Sequence, residues 1–268
     1  MNPTFLIEAA DLPDSGDTLV IDTRKPEAYV RGHIPGAVNL STYDSFVLST
    51  RPGDLTEFCA RMADLYGAIG LTRERHAVVY EDETGMRAAR ELWMLEYLGH
   101  KGVRMLHGGL KAWVAAGGAV TTEVPAPPAS VVFEPLPEEG IVIAADELLP
   151  KAHSGAITVL DVRDATEFAG KDNTACCTRR GHIPRAVWLE WTDLLDATTG
   201  RFKAGPEIVR LLEGRGVDPS SVLVPYCHRG ARSANTYYAL RHAGIDSVRN
   251  YIGSFHEWSA RGEFPIEV

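Results

Sequence analysis

Cysteine is scarce in this chain: Cys59, Cys176, Cys177 and Cys227 are all it has in 268 residues. They are too few and too scattered for a disulfide framework, and no CxxC pair marks a zinc site, so no metal is implied. No apolar run approaches the length of a membrane helix. The opening residues, Met1-Asn2-Pro3-Thr4-Phe5-Leu6-Ile7-Glu8, lack the basic start and apolar core of a secretory leader. The expected setting is the reducing cytoplasm. Positive charge is in deficit as well, with 27 Lys and Arg against 36 Asp and Glu and a formal net charge of −9. That argues against nucleic-acid or acidic-membrane partners, which reward a basic surface. A small anionic substrate stays open, because one local cluster is positive.

What the chain does have is an internal duplication. Ile7-Glu8-Ala9-Ala10-Asp11 returns as Val142-Ile143-Ala144-Ala145-Asp146, and Leu19-Val20-Ile21-Asp22-Thr23-Arg24 returns as Val159-Leu160-Asp161-Val162-Arg163. Gly32-His33-Ile34-Pro35-Gly36-Ala37-Val38 returns as Gly181-His182-Ile183-Pro184-Arg185-Ala186-Val187, and the run Val103–Trp113 returns as Val248–Trp258. The matches keep their order and their period is too long for a solenoid, so the chain is expected to hold two copies of one domain. The stretch between them carries Pro125, Pro127, Pro128, Pro135 and Pro137, a semi-rigid linker composition. The expected division is a domain over 1–122, a linker over 123–140 and a domain over 141–268.

Within each copy short β-branched runs alternate with longer amphipathic ones. The pattern predicts strands at Thr18–Ile21, Ala77–Tyr80 and Val103–Leu106, with helices at Leu55–Tyr66 and Met86–Leu98. In the second copy it predicts strands at Thr158–Leu160, Val222–Tyr226 and Ser247–Tyr251, with helices at Pro206–Glu213 and Ser233–Ala243. Such alternation implies an α/β fold, with a parallel sheet flanked by helices in each domain.

The apolar run ending at Tyr226 leads into Cys227-His228-Arg229-Gly230-Ala231-Arg232-Ser233, and a helical run follows. Ligands of open parallel sheets sit beyond the C-terminal strand ends, where Cys227 falls. Loop N–H groups, the positive end of a helix, Arg229, Arg232 and a charged His228 would all favour an anionic sulfur nucleophile. A buried structural cysteine is the plain alternative, but apolar burial would not recruit cations. A cation at Arg232, at a helix start, is unfavourable unless an anion is bound, which favours a substrate role there and, with less constraint, at Arg229. Capping alone would explain Ser233, placed at a helix N-cap. His33 and His182, and Asp22, Arg24, Asp161 and Arg163, recur in both copies and are expected to be structural. Trp113 and Trp258 are expected in the core, and Gly108, Gly109 and Gly253 in tight turns. Cys176 and Cys177 are expected in an exposed insertion loop, with a redox or sulfur-accepting partnership to Cys227 as the sharper alternative. Arg179 or Arg180 could bind a donor anion, and Arg180 is carried as the candidate.

These residues resemble the rhodanese family in its tandem form. Tyr29-x-x-x-His33-Ile34-Pro35-Gly36-Ala37 matches the family's first signature and Tyr251-x-Gly253-Ser254-Phe255-x-Glu257-Trp258 its second, while Cys227–Ser233 is similar to its active loop. The resemblance implies two rhodanese-like domains and a sulfurtransferase. Cys227 would take the outer sulfur of thiosulfate, release sulfite and hold a persulfide. A thiol or cyanide would then accept that sulfur, with ping-pong kinetics. His228, Arg229, Gly230, Ala231, Arg232, Ser233 and Arg180 would bind the small anionic donor. No cofactor is implied, and a monomer is the default expectation.

Departures from the family pattern carry information too. Glu81 stands where the first copy would need cysteine, which predicts a catalytically silent domain that covers and shapes the cleft of the second. Arg185 replaces a glycine, and an insertion over 169–178 displaces the aromatic expected before His182. A 3-mercaptopyruvate donor is the alternative, though that subfamily carries a small uncharged loop. Related phosphatases place arginine six residues beyond the cysteine, against five here, so the shorter loop suits sulfur better than phosphate. A non-catalytic sulfur-binding module is the third reading.

Overall fold

The computed structural model describes residues 5–12, 18–172 and 177–268; residues 1–4 of the opening run and Cys176 lie outside these. In the first half the order is β1 (Leu6–Ile7), β2 (Leu19–Asp22), α1 (Pro26–Tyr29), β3 (Val38–Asn39), α2 (Pro52–Ala68), β4 (Ala77–Tyr80), α3 (Met86–Tyr97), β5 (Val103–Leu106) and α4 (Gly109–Ala115). The strands form one parallel sheet in the order β1-β5-β4-β2-β3. Strand β4, Ala-Val-Val-Tyr, is buried along its whole length, as a central parallel strand with both faces covered must be.

The second half repeats this with α5 (Ala145–Ser154), β6 (Thr158–Asp161), α6 (Ala165–Phe168), β7 (Val187–Trp188), α7 (Gly205–Glu213), β8 (Leu223–Tyr226), α8 (Ala231–His242) and α9 (Ser254–Ala260). Its sheet runs β7-β6-β8, again parallel. The strand expected over Ser247–Tyr251 does not form as a continuous element. Only single bridges join Leu223 to Val248 and Val142 to Asn250. Pro225, inside β8, has no N–H to donate, so the ladder on that edge is interrupted.

Two compact units result. One comprises Met1–Ser45, Thr56–Glu138 and Asp196–Phe202; the other comprises Phe46–Leu55, Glu139–Leu195 and Lys203–Val268. Each unit includes a short segment from the other half of the sequence. In the first, Thr84 N–H donates to the Gly200 carbonyl; in the second, Ala145 N–H donates to Thr50 Oγ1.

The repeated Asp-x-Arg motif locks the strand end in both copies. Arg24 donates to both oxygens of Asp22 and to the Gly32 carbonyl; Arg163 does the same with Asp161 and the Gly181 carbonyl. Tyr80 and Tyr226 accept the N–H of Ile34 and Ile183. These charges are buried and paired with each other, so breaking one partner would strand the other. His33 stacks on Tyr29 at 3.8 Å, and His182 stacks on Phe168 at 3.9 Å. The insertion therefore moves the aromatic in sequence but returns Phe168 to the same place against the histidine. Trp258 is fully buried in the second core, while Trp113 is only partly buried beside the first. Gly253 has an ordinary helical φ; it is glycine because a Cβ would lie 2.0 Å from Glu257 Oε2.

Candidate active site

Strand β8 delivers Cys227 at its C-terminal end, and α8 begins at Ala231. Between them the chain must turn within a few residues. Gly230 makes that turn in the left-handed region, at φ +88, and a Cβ there would meet Ile252 Cδ1 at 2.4 Å. Glycine is thus required by conformation and by space. In this geometry Gly230 N–H donates to Cys227 Sγ at 3.1 Å. The sulfur lies before the N-terminus of a twelve-residue helix whose N-cap offers no side-chain acceptor. Its orphan N–H groups and aligned peptide dipoles favour an anion there.

Cys227 is only 1% exposed, yet its surroundings are polar. Its own N–H donates to Ser254 Oγ at 3.1 Å, and that hydroxyl donates onward to the Tyr251 carbonyl, lying 3.9 Å from Sγ. Ser254 adopts φ +54, a left-handed conformation rare for a residue with a Cβ. The matching position of the first copy, Gly109, has φ +59. The copy with the cysteine therefore puts a strained serine where the other has an unstrained glycine. Strain of this kind costs about 1–3 kcal/mol and collects at functional sites. The sequence reading did not single out Ser254, although its place opposite Gly109 in the repeat was the available signal.

The two loop arginines differ sharply. Arg232 forms a forked pair with Glu167, at 2.7 and 3.3 Å, and Asp164 lies 3.5 Å from it. Burial disfavours both charges, but the Cys227 sulfur and Glu167 hold Arg232 above its ordinary range, and Arg232 holds Glu167 below its own. The anion that a cation at this helix start calls for is thus supplied by the protein. Arg229 lies with its guanidinium 4.0 Å over the Phe46 ring; among the described residues it makes no ion pair and its buried Nε has no hydrogen-bond partner. His228 adds no charge at neutral pH, because burial, and then Arg229, push it down to about 4.

Ser233 is the third residue of α8, not its N-cap, which is Gly230. Its fully buried hydroxyl has no hydrogen-bond partner among the described residues, so capping does not explain it. Arg179 donates to the carbonyls of Ser259, Phe264, Trp258 and Arg261, a purely internal clamp. Arg180 is exposed and reaches only the Lys171 carbonyl, at 3.5 Å; no hydrogen bond ties it to the 227–233 loop among the described residues. Cys177 is not exposed: it is buried among the apolar side chains of the second core.

The first copy turns the same corner with other chemistry. Glu81 follows Tyr80 as Cys227 follows Tyr226, and its carboxylate accepts the N–H groups of Arg87 and Ala88 at the start of α3. Burial pushes that carboxyl up to about 7. It lines a cleft of about 250 Å³ with Arg24, Lys25, Glu27, Ala28, Arg31, Asp82 and Arg87. A carboxylate in this seat cannot form a persulfide.

The rhodanese-like domain model matches twice, over residues 6–116 and 144–261. A thiosulfate sulfurtransferase of Pseudomonas aeruginosa is 33% identical over 98% of this chain and 97% of its own length. A 3-mercaptopyruvate sulfurtransferase of Escherichia coli is 32% identical over 92% of this chain and 87% of its own. The wild-type structure of EanB superposes with a TM-score of 0.82 over 99% of this chain and 69% of that one; at 22% identity this likeness concerns the fold alone.

Proposed function

This chain belongs to the rhodanese family and is a sulfurtransferase, and we propose that it moves the outer sulfur of thiosulfate through a persulfide on Cys227 to a thiophilic acceptor. The observation that carries the reading is the polar seat of Cys227: a sulfur hydrogen-bonded to Gly230 N–H at the head of α8.

The thiolate attacks the outer sulfur of the donor. A sulfur–sulfur bond forms to Cys227, the bond to the SO3 group breaks, and sulfite leaves with the electron pair. Negative charge now rests on the terminal sulfur of the persulfide, where loop N–H groups and the α8 dipole stabilise it. A nucleophile such as cyanide then attacks that sulfur and returns the thiolate, giving thiocyanate. Splitting one transfer into two substitutions in this way lowers each barrier.

Among the candidate donor-binding residues, Arg229 has the strongest claim to the donor's sulfonate end, because no carboxylate already satisfies it among the described residues. Arg232 acts with Glu167 as a fixed, nearly neutral pair that holds the loop. Gly230 and Ala231 supply backbone, and Ser233 a buried hydroxyl. Arg180 takes no step in this scheme. The Escherichia coli relative keeps 3-mercaptopyruvate as a second reading of the donor. Peptide mass spectrometry after thiosulfate treatment should find one added sulfur on the peptide of Cys227 and none in Cys227→Ser. Turnover should favour thiosulfate over 3-mercaptopyruvate; the reverse preference would exchange the donor, and no added sulfur would refute the persulfide.

A further inference from the structure

Beside Cys227, and overlapping its loop at His228, lies a second constellation of side chains. One ligating atom each from Cys177, His228 and His256 lies within 4.8 Å of the others. Thiolate and imidazole are the donors zinc prefers, and a tetrahedral zinc ion would hold such atoms about 3.5 Å apart, within reach of small side-chain rotations. We propose that Cys177, His228 and His256 form a binding site for a zinc-like divalent ion, with a fourth position left open to water.

The site is prepared by the backbone, not by chance rotamers. Phe255 N–H donates to the Cys227 carbonyl and His256 N–H to the His228 carbonyl, so the two histidines come from segments tied side by side. Their rings meet edge to face at 6.4 Å, and Phe46 packs edge-on against His256 at 5.1 Å. The third ligand is held by its neighbour: the four bonds of Arg179 to carbonyls between Trp258 and Phe264 fasten the Cys177 segment to the end of α9. Cys177 itself is buried and His228 and His256 are half-buried, which limits competition from bulk water. Binding would deprotonate the Cys177 thiol, releasing one proton per ion taken up. Cys227 is not one of the ligands. The proposal shares only His228 with the donor-binding loop, and it stands whether or not thiosulfate is the donor.

The test uses the full chain stripped of metal and titrated with cobalt(II), which takes zinc sites and reports thiolate ligation by a charge-transfer absorption band. One equivalent should develop the band, and zinc should displace it. Cys177→Ser should abolish the band, His256→Gln should weaken cobalt binding at least tenfold, and Cys227→Ser should keep it intact. Absence of the band, its persistence in Cys177→Ser, its loss in Cys227→Ser or undiminished cobalt binding in His256→Gln would each overturn the assignment.

Discussion

Replacing Glu81 by glutamine should change how stability depends on pH, in a direction that can be worked out in advance. Glu81 is half-buried, and burial raises its carboxyl from 4.5 to about 7, although the N–H groups of Arg87 and Ala88 oppose the rise. The folded state therefore binds this proton more tightly than the unfolded chain does. The stabilisation is complete below pH 4.5, is lost as the pH climbs towards about 7, and changes no further above that. The rise of roughly 2.5 units, at about 1.36 kcal/mol per unit, sets a ceiling of about 3 kcal/mol, lowered by whatever solvent reaches the carboxyl. Glutamine keeps the acceptor oxygen for the α3 N–H groups but has no proton to lose. Urea unfolding of the two proteins across this range should show the native protein losing ground to Glu81→Gln by about 2–3 kcal/mol as pH rises. A second check is infrared spectroscopy, in which the protonated carboxyl band missing from the variant should titrate near pH 7. A stability difference that stays flat across the range, or a band that vanishes near pH 4.5, would refute the reasoning.

Ser254→Ala should slow sulfur loading and cost about 1–3 kcal/mol, because it leaves the buried Cys227 N–H without its acceptor. Ser254→Gly should load equally slowly yet unfold about 1 kcal/mol later than the alanine variant, since glycine tolerates φ +54; equal stability would disprove the strain. Arg229→Gln should raise KM for thiosulfate about tenfold, the worth of about 1.4 kcal/mol of lost attraction, with little change in stability. Arg232→Gln should instead lower stability by about 3–5 kcal/mol by stranding buried Glu167, and matching kinetic and stability profiles for the two arginine variants would contradict their separation. Gly230→Ala should lower the urea midpoint and the loading rate together, because its Cβ would collide with Ile252.

Much of this was legible in the residues because it depends on local order. Ala77–Tyr80 and Val103–Leu106 are strands where their β-branched runs lie, and Met86–Tyr97 is a helix ending one residue short of its amphipathic pattern. The parallel α/β architecture followed from that alternation. Other features depend on register across the fold. Pro225 is visible in the sequence, but its effect on the 247–251 edge depends on which partner its missing N–H would have met. Ser233 looks like a cap in a helix that starts at 233, but the helix begins two residues earlier, at Ala231. Arg229 and Arg232 carry the same charge in one loop, and nothing nearby in sequence shows that Glu167, 65 positions earlier, is bonded to one of them.

From the sequence alone came the duplication, the parallel layering and the position of Cys227 between a strand and a helix. These are properties of periodicity and short-range chemistry. Tertiary structure alone decided that Ser254 takes up a strained turn against the Cys227 backbone, that Glu167 neutralises one loop arginine, and that Cys177 lies beside His228 and His256. Each of these joins residues far apart in the chain. Such contacts arise only once burial of the two cores has set which segments touch, and no local preference of the residues records them.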